Sequence, residues 1–191
     1  QIEVKWFEWA AVPFYVAAVI ALVLTLLFGT GAGTAVGVRS WLQVGPMRVQ
    51  PAQFANLATI LLLGRVMGGR REPPQSLSAL WKPVTIVAIP LVLVVAQPDL
   101  GTAMVFGAIL LAALFWGGTP AGVLFMLLSP IFGLLLAFEV WLFSAYMVGL
   151  VIFLYLYRVY AWEGTLVAAA NLAAGTIALP LWNTLAPYQK A

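Results

Sequence analysis

The spacing of the apolar runs constrains this chain most. Seven stretches, roughly 7–28, 51–69, 83–98, 100–117, 121–138, 142–158 and 165–185, are nearly free of charge. Short turns rich in Gly, Pro and polar residues separate them. A helix needs about 20 apolar residues to cross a bilayer. A soluble fold of 191 residues has no room to hide this much apolar surface, because 64% of the residues are hydrophobic and only 8% are charged. An ordinary soluble domain carries roughly 25% charged residues. The expected fold is all-α: a polytopic transmembrane helix bundle of about seven membrane helices, with residues 1–191 forming a single transmembrane domain.

Tryptophan supports these limits. Trp6, Trp9, Trp41, Trp81, Trp116, Trp141, Trp162 and Trp182 all lie near a proposed helix end or in a loop. That is where an apolar ring with a polar N–H settles in a membrane. With the N-terminus inside, Lys5, Arg65, Arg70, Arg71, Lys82 and Arg158 fall inside, and Arg39, Arg48 and Lys190 fall outside. The excess of inside cations supports this orientation. The nine cations are scattered through an apolar chain, so nucleic acid is not an expected partner.

The chain has no Cys and no His. Thiol nucleophiles, serine triads, thiolate zinc sites and His- or Cys-ligated haem are therefore excluded within it. Six carboxylates remain as candidate acids or ligands. Polar groups inside membrane spans are functional candidates by default, because burying them in lipid is costly. Asp99, within Gln97-Pro98-Asp99-Leu100-Gly101-Thr102, reads as the N-cap of the following helix, accepting the N–H of Gly101 or Thr102, and as a candidate ligand for a substrate or cation. Glu139 reads as interfacial, Glu163 as a cap of the seventh segment, and Glu72 as a solvated charge.

The second segment opens Gln50-Pro51-Ala52-Gln53-Phe54-Ala55-Asn56. Pro51 suits a first helical turn, and Gln53 and Asn56 share a face. Two amides there suit interhelical hydrogen bonds or a hydrated cavity. Arg39 and Arg48 are outer cations, suited to a lipid headgroup or a pyrophosphate. The 29–50 stretch, with Gly29, Gly31, Gly33 and Gly37, reads as a Gly-rich loop. No Gly-Lys-Ser/Thr follows, so it is not a phosphate loop. Pro90, Pro130 and Pro180 inside apolar runs imply kinks whose freed carbonyls need partners from neighbouring groups.

Three stretches together resemble a known family. Arg39-Ser40-Trp41-Leu42-Gln43-Val44-Gly45 is similar to its RWL-x-x-G loop, and Val49-Gln50-Pro51-Ala52-Gln53-Phe54-Ala55-Asn56 to its QPSE-x-AK helix start. Ala96-Gln97-Pro98-Asp99-Leu100-Gly101-Thr102-Ala103 is similar to its QPDLGTA motif, and the order and spacing agree. The family is the shape, elongation, division and sporulation (SEDS) group of RodA, FtsW and SpoVE, with the resemblance closest to RodA. Leu185-Ala186-Pro187-Tyr188-Gln189-Lys190 is similar to a PYQ run that opens the family's large outer loop. The resemblance covers about 1–118 and 165–191. The stretch 121–162 reads as an extra helical hairpin, whose even number of helices leaves the topology intact.

The resemblance implies a rod-shape-determining peptidoglycan glycosyltransferase. Such enzymes polymerise lipid II at the outer face of the bacterial cytoplasmic (inner) membrane, in cell wall biogenesis. It implies lipid II, with its undecaprenyl pyrophosphate leaving group, as substrate, and membrane lipid and a class B penicillin-binding protein transpeptidase as partners. It also implies a divalent cation, Mg or Mn, easing departure of the pyrophosphate. The catalytic carboxylate is expected in the large outer loop, beyond Ala191, so the chain reads as a fragment and no residue here takes that role. Arg39, Gln50 and Asp99 match motif positions and are carried over as substrate-binding or cavity residues, with Gln53 and Asn56 beside them. The family usually has Glu and Lys where this chain has Gln53 and Asn56, a joint loss of charge that puts activity in question. Two other readings compete: a flippase or transporter for a lipid-linked precursor, and a non-catalytic membrane scaffold for a transpeptidase.

Overall fold

The computed structural model describes residues 4–31, 40–70 and 72–184. Seven α-helices account for most of them: α1 (Val4–Phe28), α2 (Pro51–Gly68), α3 (Trp81–Val95), α4 (Leu100–Trp116), α5 (Ala121–Leu136), α6 (Val140–Leu156) and α7 (Ala161–Thr184). Each coincides within a few residues with one apolar run. Glu8–Phe28 and Ser78–Val95 are long and apolar enough to cross a membrane, at mean hydropathies of 2.5 and 2.0. Leu100–Trp116, Ala121–Leu136 and Val140–Leu156 are shorter apolar helices. A helix of 17 residues is about 26 Å long, a mismatch of a few Å with a hydrocarbon core of roughly 30 Å that local thinning accommodates. Large apolar side chains such as Val16, Ile20 and Leu27 on α1 and Val148 and Ile152 on α6 are exposed. A surface of this kind suits lipid rather than water, and the fold is that of a helical membrane protein.

The chain divides into two compact units. Unit 1 comprises residues Gln1–Pro74 and Leu80–Thr119. In it α1 packs along α2, and α2 also meets α3 and α4. The seam is lined with small residues. Ala11, Ala18 and Leu22 of α1 face Ala52, Ala55, Ala58 and Leu62 of α2, with Val87, Val94 and Phe106 closing the core. Small side chains let membrane helices approach closely, so dispersion contacts replace the hydrophobic drive that lipid does not supply. Pro90 sits inside α3 and has no N–H for the carbonyl four residues back. That carbonyl, Ile86 O, accepts a 2.7 Å hydrogen bond from the Tyr15 hydroxyl of α1. A kink and its compensation thus lie on two different helices.

The segment before α2, expected as a Gly-rich loop, contains a β-hairpin. Strands β1 (Leu42–Val44) and β2 (Met47–Val49) pair antiparallel, with Gln43 opposite Arg48. Gly45 at φ +62°, followed by Pro46, makes the tight turn. A glycine first with positive φ is the type II′ pattern that suits a two-residue hairpin loop. An isolated bridge, Thr30 to Trp41, ties the hairpin back to the end of α1.

Unit 2 comprises Gln75–Ala79 and the chain from Pro120 onward. Here α5 packs mainly on α7, and α6 touches both. Asn171 of α7 is fully buried. Its amide donates to Ser129 Oγ at 2.8 Å and to Val167 O at 2.9 Å. The Tyr146 hydroxyl of α6 reaches both Asn171 Oδ1 and Ser129 O, at 2.8 and 2.7 Å. Ser129 Oγ in turn donates to Met126 O at 2.9 Å, the carbonyl that Pro130 leaves without its helical partner. Gly133 makes room for this cluster, since a Cβ there would lie 2.8 Å from Asn171 Oδ1.

Glu163 differs from expectation. It lies in the first turn of α7, is only 2% exposed, and accepts the Ser78 backbone N–H at 2.9 Å. Instead of capping α7, it holds the 75–79 segment against that helix.

Candidate functional site at the starts of α2 and α4

The polar residues singled out in the sequence converge around Asp99. This residue is the N-cap of α4, and its side chain accepts from Thr102 N. The sequence dictates this locally. Pro98 cannot continue the ladder of α3, and an Asp placed just before Leu100 can satisfy one of the four unpaired N–H groups of the new helix. Asp99 Oδ1 takes Thr102 N at 3.0 Å. Asp99 Oδ2 takes the Thr102 hydroxyl at 2.8 Å and the Ser40 hydroxyl at 2.9 Å, and Gln50 Nε2 stands at 3.5 Å, the outer limit of a bond. Gln53 Nε2 donates to Gln50 Oε1 at 3.1 Å.

Asp99 thereby joins three separate segments: the buried Ser40 before the hairpin, the N-cap of α2 at Gln50, and the first turn of α4. Two helix N-termini meet there, and their partial positive charge favours an acidic group. Gln97, 1% exposed, extends the tie to α1 by donating to Leu22 O at 3.1 Å.

A carboxylate offers about four lone-pair sites. At Asp99 four protein donors gather, three on Oδ2 and one on Oδ1, so this acid positions its neighbours rather than acting as a free base. The same count bears on a divalent cation. Among the described residues no three acidic, His or Cys groups converge, and Asp99 Oδ2 is fully engaged by protein donors. The described residues therefore do not fit a divalent cation, and no step is routed through one.

Of the other expected residues, Gln50 and Gln53 join the cluster and Arg39 lies outside the described residues. Asn56 does not join it. Its Oδ1 is buried and has no hydrogen-bond partner, and the same holds for Thr59 Oγ1 one turn deeper. Gln50, Gln53, Asn56 and Thr59 recur every third residue, a polar row that winds half-way round the helix over about 13 Å, from exposed Gln53 to buried Thr59. The amide pair at Gln53 and Asn56 makes no mutual bond: Gln53 turns outward to Gln50. Ser40, Thr102 and Thr59 were not singled out from the sequence. Thr102 stands three residues after an N-cap and Thr59 three after Asn56, and both spacings are readable signals. Ser40 carries no such signal, because its role depends on the hairpin.

The family model for FtsW, RodA and SpoVE, described as cell cycle proteins, matches residues 1–162. The chain is 34% identical over 126 residues to peptidoglycan glycosyltransferase RodA of Treponema pallidum, covering 63% of this chain and 28% of that protein. It is 35% identical over 125 residues to a probable peptidoglycan glycosyltransferase FtsW of Bacillus subtilis, covering 60% of this chain and 30% of that protein. Its structure is similar to the crystal structure of a mutant of the rod shape determining protein RodA of Thermus thermophilus. There the identity is 28% and the TM-score 0.55, with 62% of this chain and 38% of that chain covered. The chain thus spans less than a third of the length of these two sequence relatives.

Proposed function

The chain belongs to the FtsW, RodA and SpoVE family of cell cycle proteins, and from that premise we propose that the whole protein is a peptidoglycan glycosyltransferase. It polymerises lipid II at the outer face of a bacterial cytoplasmic membrane, as a multi-pass protein serving rod shape and wall growth beside a class B penicillin-binding protein. One observation carries the reading best: Ser40, Gln50 and Asp99, from three separate family motifs, meet in one hydrogen-bonded cluster.

Chemistry at this cluster is recognition and positioning. Asp99 fixes the start of α4 and the entry to the hairpin, and Gln50 and Gln53 present amides that can meet sugar hydroxyls. The base that deprotonates the acceptor sugar is assigned to a residue outside this chain, since the only acid in the cluster is engaged by its neighbours.

The test is polymerisation of purified lipid II by the full-length protein in proteoliposomes. Asp99→Ala, which removes the cap and the side-chain bonds of the cluster, is expected to lower the rate of glycan formation more than Glu139→Ala, whose exposed parent residue makes no side-chain cap bond. Equal rates for both variants at equal expression would remove the role given to Asp99. A protein that moved lipid II across the bilayer without polymerising it would replace the reading with transport.

The neutral pair at Gln53 and Asn56 favours a second reading, a non-catalytic scaffold for the transpeptidase. The double change Gln53→Glu with Asn56→Lys separates the two. A gain of polymerisation from an inactive parent supports the scaffold reading, and an active parent rejects it.

A further inference from the structure

Four buried side-chain atoms among the described residues have no hydrogen-bond partner, and two of them are neighbours on α2: Asn56 Oδ1 and Thr59 Oγ1. Nearly all buried polar groups in folded proteins are partnered, by protein or by ordered water. Two such atoms on one turn of one helix call for a common partner.

Thr59 is the sharper case. It is fully buried, and a helical threonine has an easy remedy, because its hydroxyl can rotate to donate to the carbonyl three or four residues back. Thr25, Thr85, Ser129, Thr165 and Thr176 all do so. Thr59 does not, and it does not bond Asn56 either. Residues three apart on a helix have Cβ atoms about 5–6 Å from one another. That is the span of two hydrogen bonds of roughly 2.8 Å each that meet at one small molecule. The surroundings restrict what the molecule is. Ala55, Ala58, Leu62 and Leu63 flank Thr59 on α2 and are all buried, so a side chain from another segment reaches the hydroxyl only by parting that packing. Amide and hydroxyl are both neutral, and a hard cation needs about six oxygens. Asn56 is only partly buried, which leaves a way in for something the size of water.

We propose that Asn56 and Thr59 together hold one internal water molecule, a binding site inside the first half of α2. The water donates one hydrogen to Asn56 Oδ1 and accepts the hydrogen of the Thr59 hydroxyl. Its second hydrogen goes to a backbone carbonyl of α2, which keeps a spare lone pair within the helical ladder. About three bonds are usual for a buried water. Turning the amide over puts Nδ2 where Oδ1 stands, and the same water then accepts from it and donates to Thr59, so the site serves either setting. The water carries inward the polar row that begins with the bond from Gln53 to Gln50. It is independent of the activity proposed for the whole protein.

The direct test is a density map of the full-length protein in lipid nanodiscs, at a resolution that shows ordered water. A single peak is expected at about 2.6–3.2 Å from both side chains. An empty space there, or a side chain of another segment in the same place, would overturn the proposal. Thermal unfolding of the full-length protein in detergent gives a second reading. Thr59→Val keeps the shape of the side chain and removes the hydroxyl. With a water bound, it is expected to lower the melting temperature by about 2 °C. In an Asn56→Leu background the water has already lost a partner, and the same change is expected to lower it no further. A rise in melting temperature for Thr59→Val alone would reveal a hydroxyl with no ligand, and equal losses in the two backgrounds would show that the residues share none. Either result would overturn the proposal.

Discussion

Replacing Asp99 with Asn or with Ala separates its shape from its charge. Asn keeps an oxygen for Thr102 N, and Asn is as good an N-cap as Asp. Its new NH₂ has two hydrogens, and two hydroxyls face it, Ser40 Oγ and Thr102 Oγ1. Both can rotate to accept. Only Gln50 Nε2, already at 3.5 Å, is left facing a donor, and it has room to turn. The expected cost of Asp99→Asn is about 1 kcal/mol or less. Ala removes everything. The lost cap costs about 1 kcal/mol, and two hydroxyls lose a charged acceptor worth about 1.5 kcal/mol each at the low end that a half-buried site warrants. The sum is about 3–4 kcal/mol. Equilibrium unfolding in mixed detergent micelles, followed by near-UV dichroism of the tryptophans, measures the difference. Should Asn prove as destabilising as Ala, the charge itself would hold the cluster, and the account by cap and hydrogen bonds would fail.

Three further outcomes follow from the helix contacts. Tyr15→Phe removes the donor to Ile86 O and is expected to cost about 1 kcal/mol, but close to nothing in a Pro90→Ala background, where residue 90 regains its N–H; equal costs in a double-mutant cycle would refute the compensation. Gly133→Ala pushes a methyl toward Asn171 Oδ1 and should destabilise by about 1–3 kcal/mol, read as a shift in unfolding midpoint; an unchanged midpoint would show that the cluster can give way. Arg158, at φ +53° just past α6, sits where glycine is preferred, so Arg158→Gly should stabilise by up to about 1 kcal/mol, and a lower melting temperature would count against strain there.

The helices were legible because length and apolarity are coarse signals that survive without knowledge of neighbours. Asp99 as an N-cap was legible for a similar reason: the cap, the preceding Pro98 and the N–H of Thr102 lie within five residues. Contacts across helices were not. Nothing local tells that Tyr15 will serve the carbonyl freed by Pro90, only that some group must. Glu163 was misplaced because its burial depends on where residues 75–79 fold, far away in sequence. The hairpin at 42–49 was hidden by its brevity and by the glycines before it, which pull any reading toward a loop. The paired appearance of Gln53 and Asn56 on one face was real as geometry. It said nothing about partners, and Asn56 Oδ1 has none.

The cluster around Asn171 has a consequence for assembly. Helices α5 to α7 are greasy on nearly every side, and oil against oil sets no preferred azimuth. Turning α7 by a single residue swings Asn171 through about 100°, out of reach of Ser129 and Tyr146 alike. The amide therefore works as an indexing pin that permits one rotational setting and rejects its neighbours. Chains emerge from the ribosome N-terminus first, so α5 and α6 reach the bilayer before Asn171 does. They wait as a loosely aimed pair, with the proline notch of α5 bridged only by Ser129, until α7 delivers the amide that locks all three.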